Sequence, residues 1–154
     1  LMDQLLINQP DDPYYLEQKA QILFESGQVE ASIPLYRKAL DHAPTEPLIR
    51  FELAQAMVAS NDASSLPQSI ELLTEVARLE PRNARAWELL AIAHGQSGDF
   101  GMAAMAQAEN AYAMNKKEDA KMFAERAMNK LPEGSPGWLK AQDILYAAGG
   151  DSQE

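Results

Sequence analysis

The chain has no cysteine and only two histidines in 154 residues. That excludes disulfides, thiolate nucleophiles and zinc–cysteine sites. It leaves the compartment open, because a cysteine-free protein tolerates any redox environment. Long apolar runs are missing as well. The longest stretch without a charge, Leu89 to Gly98, has ten residues, half of the roughly 20 that a membrane helix needs. No basic-then-apolar leader is present, so neither a secretory signal nor an anchor is expected in this sequence. It opens on Leu1 rather than methionine, as a piece cut from something longer would. Basic residues are scarce: 13 Lys and Arg against 23 Asp and Glu give a net charge of −10. That field repels polyphosphates, and nucleic-acid binding, which depends on cationic phosphate contacts, is not expected. β-Branched residues are also few, with 12 Val, Ile and Thr against 25 Ala. This ratio favours helix, because alanine loses no side-chain entropy there.

The acidic excess is uneven, −8 over residues 1–80 and −2 over 81–154. It serves solubility, or it selects a basic partner. Chain breakers recur at a regular interval: Pro10, Pro44 and Pro81 are 34 and 37 residues apart. Turn residues sit between them at Gly27, Asn61–Asp62 and Gly98. Helical periodicity fills the gaps, as in Leu16, Ala20, Leu23 and Phe24, then Ile33, Leu35, Tyr36, Ala39 and Leu40. Asp12 before Pro13, and Ser135 before Pro136, supply capping oxygens ahead of first-turn prolines.

Two helices per unit and a 34-residue period resemble the tetratricopeptide repeat (TPR). The slots of its pattern read Leu16, Lys19, Ala20, Leu23, Ser32, Tyr36, Ala39 and Pro44 in residues 13–46. In 47–83 they read Arg50, Leu53, Ala54, Met57, Ser69, Leu73, Val76 and Pro81, with three extra residues near Ala63–Leu66. In 84–117 they read Trp87, Leu90, Ala91, His94 and Ala103, but Gln107, Asn110 and Asn115 fill the later slots poorly. The frame then slips by half a unit, so 101–114 is expected to be shared between 84–117 and a further repeat at 101–134. A capping helix spans 135–149 and a polar tail 150–154; residues 1–12, with Met2, Leu5 and Leu6, read as the tail of an earlier helix. The resemblance implies an all-α, TPR-type α-solenoid of antiparallel helix pairs, about eight helices with the C-terminal cap. Small residues Ala20, Ala54 and Ala91 let paired helices approach. Pro34 is a misfit, and is expected in the first turn of a helix starting near Glu30–Ser32.

No catalytic set is present. His42 and His94 lack an HExxH frame or any partner at metal spacing, and Gly95-Gln96-Ser97-Gly98 is a helix stop rather than a phosphate loop. Ser64 and Ser65 have no histidine nearby in sequence. No metal or cofactor is expected in this chain. Five of the seven methionines fall between Met102 and Met128, where they either fill the core or form an adaptable surface.

What remains is a surface for polypeptides. In TPR domains the first helices of each pair line a concave side. The resemblance therefore implies a protein-binding groove of Tyr14, Glu17, Gln21 and Phe24, then Phe51, Gln55 and Val58, then Arg85, Glu88 and Ile92. Some TPR domains clamp a partner's C-terminal carboxylate with lysines and asparagines. The corresponding places here hold Glu17, Gln21 and Glu52, so that specificity is not expected.

Three stretches are similar to one narrower group: Pro13–Gly27 (PYYLEQKAQILFESG), Trp87–Gly101 (WELLAIAHGQSGDFG), and Ala103–Leu145 with AENAY, DAKMFAERAM and GSPGWLKAQDIL. They resemble the C-terminal TPR region of bacterial BepA-like periplasmic zinc metallopeptidases. That resemblance implies a periplasmic, non-catalytic accessory domain, with zinc only in an absent catalytic domain. Its implied partners are outer-membrane proteins, their assembly machinery and the parent's catalytic domain. The alternative is a free-standing TPR scaffold or chaperone-type protein, such as those serving cytochrome c maturation. Neither reading involves nucleic acid or direct membrane insertion.

Overall fold

The computed structural model describes residues 3, 4, 7 and 9–149. Among them are eight α-helices and no strand. The first four are α1 (Pro13–Glu25), α2 (Val29–His42), α3 (Pro47–Ala59) and α4 (Leu66–Leu79). The others are α5 (Ala84–Gln96), α6 (Phe100–Ala113), α7 (Lys117–Lys130) and α8 (Pro136–Gly149). The fold is an all-α, TPR-type arrangement of successive helix pairs. Asp3, Gln4 and Ile7 are helical, whereas Met2, Leu5, Leu6 and the 150–154 tail lie outside the described residues.

Local chemistry sets the helix ends. The Asp12 carboxylate accepts from the amides of Tyr14 and Tyr15 at 3.0 Å each, with Pro13 in the first turn. Asn83 and Asp99 cap α5 and α6 in the same way, accepting from Ala86 and Met102. The Ser135 hydroxyl accepts from the Trp138 amide at 3.4 Å. The three extra residues of the second interval form a single 3-10 turn, Ala63–Ser65, held by Asp62. At the end of α1, Gly27 adopts φ +81° and Gln28 donates back to Leu23 at 2.8 Å. This closure requires a left-handed residue, which glycine supplies without strain.

Pro34 is not where the sequence places it. α2 begins at Val29, immediately after the Gly27 turn, so Pro34 is its sixth residue and lies past the first turn. The Ser32 amide donates to the Gln28 carbonyl at 3.2 Å, so the helical ladder opens directly on the turn. The carbonyl of Glu30, which Pro34 cannot serve, belongs to an exposed residue and can be met by solvent.

The chain divides into two compact units at Val76/Ala77. In the first, α1, α2 and α3 pack in succession around Ala20, Tyr36, Leu53, Ala56 and Met57. Phe24, Ile33, Leu35, Leu40 and Leu72 close over that cluster, and a second cluster joins Leu16, Ala39 and Ile49. In the second unit, α6 contacts α5, α7 and α8. It is buried along nearly its whole length through Gly101, Ala103, Ala104, Met105, Ala106, Ala108 and Ala111. A Cβ at Gly101 would stand 2.7 Å from Leu131 Cδ2, and one at Gly137 2.6 Å from Met102 Sδ. Glycine is therefore what lets the starts of α6 and α8 meet the α7–α8 loop. The methionines divide: Met105 is buried, Met102 and Met128 are half-buried, and Met114 and Met122 are exposed.

α8 is tied down by a polar cluster. The Lys140 ammonium sits 4.5 Å above the Trp87 ring and 3.4 Å from Glu109 Oε1, while the Trp87 indole donates to the Pro81 carbonyl at 2.9 Å. Burial pushes the Glu109 carboxyl above its ordinary value, and the Lys140 charge only partly opposes this. A carboxyl raised on folding stabilises the fold fully below the ordinary value of 4.5, and that stability is lost as pH rises through the folded value. Glu109→Gln should therefore melt above wild type at pH 7 and level with it at pH 4, checked by thermal denaturation at both. Ala54 is fully buried, so Ala54→Leu should lower unfolding free energy by about 1–3 kcal/mol through overpacking, measured by urea denaturation.

Candidate protein-binding surfaces

Ten residues are implicated in polypeptide binding by sequence, and the structure treats them differently. On α1, Tyr14 is 57% exposed and Gln21 is exposed, donating from Nε2 to Glu25 Oε1 at 2.9 Å. Phe24 is half-buried against the first core cluster, and Glu17 is buried. On α3, Gln55 is half-buried, but Phe51 and Val58 are only 7% and 4% exposed. Those two side chains are core rather than open surface. The reason is α3 itself, which buries Ile49, Phe51, Leu53, Ala54, Ala56, Met57 and Val58. A helix that is apolar on nearly every side gives no periodic signal for which face meets solvent.

On α5, Arg85 and Glu88 are exposed and Ile92 is 44% exposed. Glu88 and Ile92 line a cleft of about 400 Å³ with Ala91, Gln107, Asn110 and Phe123. Three helices build it: α5 supplies one wall, α6 the polar groups and α7 the ring. Asn110 is fixed by donating from Nδ2 to the Ala84 carbonyl at 2.7 Å, and Phe123 carries the Arg126 guanidinium 5.5 Å from its centre. Sequence reasoning does not assign Gln107, Asn110 or Phe123 to this cleft. The first two do leave a trace in the sequence, as polar residues in slots where the repeat prefers packing residues. Apolar contact at Ala91 and Ile92, an aromatic ring and a fixed Asn110 amide suit a polypeptide segment, which needs both apolar contact and backbone hydrogen bonding.

A wider cleft of about 720 Å³ in the first unit lies between the end of α2 and α4. Its floor includes Arg50, which donates from Nε to the Pro44 carbonyl at 3.0 Å and pairs with Glu75 at 3.5 Å. His94 is buried, and burial pushes its imidazole below the ordinary value against the weaker pull of Asp99. His42 ends α2, 3.9 Å from the Asp11 carboxylate. Among the described residues no group of His, Asp and Glu side chains is arranged to hold a metal ion, and no helix is long and apolar enough to cross a membrane.

Comparison with known proteins fits this architecture. No curated protein matches the chain. Among solved structures, a MamA double mutant (MamA RS-1 ArsTM) superposes with a TM-score of 0.71 at 14% identity, covering 97% of this chain and 84% of that one. MamA 41-end from Desulfovibrio magneticus RS-1 gives 0.69 at 14% identity, covering 96% and 79%. A thermophilic TPR protein of Thermus thermophilus gives 0.54 at 18% identity, covering 94% and 87%. Identities this low speak to the fold alone. The model of the cytochrome c-type biogenesis protein H TPR domain matches residues 4–122. The chain therefore belongs to that family of TPR domains, whose fold is a non-catalytic one that binds proteins or peptides.

Proposed function

We propose that this chain is the polypeptide-holding TPR module of a cytochrome c maturation system, acting in the periplasm without a cofactor of its own. The observation that carries this reading is the family match over residues 4–122. It favours the scaffold or chaperone-type alternative over the metallopeptidase-accessory reading. The latter is supported by the three stretches quoted above, of which GSPGWLKAQDIL (134–145) lies beyond the matched region. The partner is an unfolded or extended apocytochrome, and each unit by itself offers a contact for a segment of it: the open face of α1 in the first and the Glu88–Ile92–Phe123 cleft in the second. On α1 a segment would gain apolar contact at Tyr14 and polar contact at Gln21; in the cleft a segment would gain apolar contact at Ile92 and Phe123 and polar contact at Gln107 and Asn110.

The experiment is a pulldown of this chain with an apocytochrome c and, separately, with unfolded outer-membrane proteins. Retention of the apocytochrome alone is the expected result; retention of outer-membrane proteins alone would favour the metallopeptidase parent. Tyr14→Ala and Ile92→Ala should each weaken apocytochrome binding by about tenfold while leaving the melting temperature unchanged, since both side chains are exposed. Phe51→Ala should behave differently, lowering unfolding free energy by about 3–5 kcal/mol as a buried ring is lost. Circular dichroism melts beside the binding titrations separate the two effects.

A further inference from the structure

Helix α6 lines two different concavities. Gln107 and Asn110 border the cleft beside Ile92, whereas Glu109 and Tyr112, each two residues further on and so about 200° round the helix, border another. This second concavity, of about 510 Å³, is completed by Arg82 from the turn before α5, by Asn115 and Lys117 between α6 and α7, and by Ala147 of α8. Its volume lies within the roughly 300–1,000 Å³ of small-molecule sites.

Hydrogen bonds hold both of the turns that deliver its cations. Before α5, the Asn83 amide donates to the Glu80 carbonyl at 2.9 Å and its Nδ2 to Glu80 Oε2 at 2.8 Å. The Trp87 indole holds the Pro81 carbonyl, so Arg82 sits in a turn tied on both sides. Between α6 and α7, Asn115 adopts φ +58°, a left-handed conformation that asparagine enters more readily than most residues. The Lys116 amide then donates back to the Ala111 carbonyl at 2.8 Å, and Lys117 opens α7 on the same concavity as Tyr112.

The charges gathered there run against those of the chain. The whole sequence has 13 basic and 23 acidic residues, but this lining sets Arg82 and Lys117 against Glu109 alone. The Lys140 ammonium, 3.4 Å from Glu109 Oε1, offsets that one carboxylate. A guanidinium beside an ammonium recognises an oxyanion, and the planar fork of arginine matches a carboxylate. The remaining walls include the Tyr112 ring, Pro81, Ala113 and Ala147, which suit a hydrocarbon body and would be left unused by inorganic phosphate.

We propose that this concavity binds a small-molecule carboxylate with an apolar body. The carboxylate lies between Arg82 and Lys117, and the hydrocarbon part lies against Tyr112 and Ala147. The site is separate from the Glu88–Ile92–Phe123 cleft and does not depend on the polypeptide reading.

The test titrates the whole 154-residue chain, labelled with nitrogen-15, with phenylacetate, with its neutral isostere phenylacetamide, with inorganic phosphate, and with a capped peptide, Ala-Phe-Glu-Ala. Phenylacetate should shift the amide resonances of Arg82, Tyr112 and Lys117 saturably, and the other three probes should not. Arg82→Gln should weaken phenylacetate by about tenfold without changing the melting temperature, since Arg82 is exposed. Lys130→Gln should change it by less than about twofold. Lys130 is an exposed cation of the same helix as Lys117, but it lies about 20 Å along it, beyond the screening length of about 10 Å at 0.1 M salt. No saturable shift with phenylacetate would overturn the proposal. So would equal binding of phenylacetamide, which would mark a merely apolar hollow, or of phosphate, which would mark a general anion site. Binding of the peptide in place of phenylacetate would assign the cations to an acidic side chain of a partner. Equal weakening by Arg82→Gln and Lys130→Gln would leave only a diffuse field effect, and either result also overturns the proposal.

Discussion

Close approach of neighbouring helices at alanine is the constraint on which the rest depends. Ala20, Ala39, Ala54 and Ala56 in the first unit, and Ala93, Ala104, Ala106, Ala108, Ala120, Ala124, Ala127 and Ala141 in the second, are essentially inaccessible. A methyl group at the seam brings two backbones together. It leaves the larger Tyr36, Leu53, Met57 and Leu73 to fill the space between pairs. Each pair is too small to shelter its own apolar face, so stability comes from neighbours stacking in succession. Helices held this way are rigid enough to present side chains at fixed positions.

That rigidity decides what the molecule can do. Among the described residues the titratable groups are spread over helix faces, and the perturbed ones named next have structural explanations. Glu109 is raised by burial between α5, α6 and α8, and His94 is lowered by burial in α5. The open features include a cleft with Ile92, the Phe123 ring and the fixed Asn110 amide, and a wider one beside Arg50. These features suit holding another chain.

Much of this is legible in the sequence, for identifiable reasons. Alanine-rich 3.6-residue periodicity and proline spacing mark the helices, and the Asp12 and Ser135 caps act where short oxygens precede proline. Sequence alone misplaces Pro34 because the Gly27 closure, a backbone event, sets the start of α2. It misassigns Phe51 and Val58 because α3 is apolar almost all round. Gln107 and Asn110 stand out in the sequence as poor repeat residues, but only the meeting of α5, α6 and α7 shows that they border a cleft with Phe123.

The central claim is that this stack of helices holds a polypeptide on particular faces. Hydrogen–deuterium exchange of the chain with and without a saturating apocytochrome c tests it most directly. The account predicts added protection in α1 over 14–25, and in α5 and α7 around Glu88, Ile92 and Phe123, with α8 unchanged. Protection confined to α8 and the end of α2, or none anywhere at saturation, would contradict it.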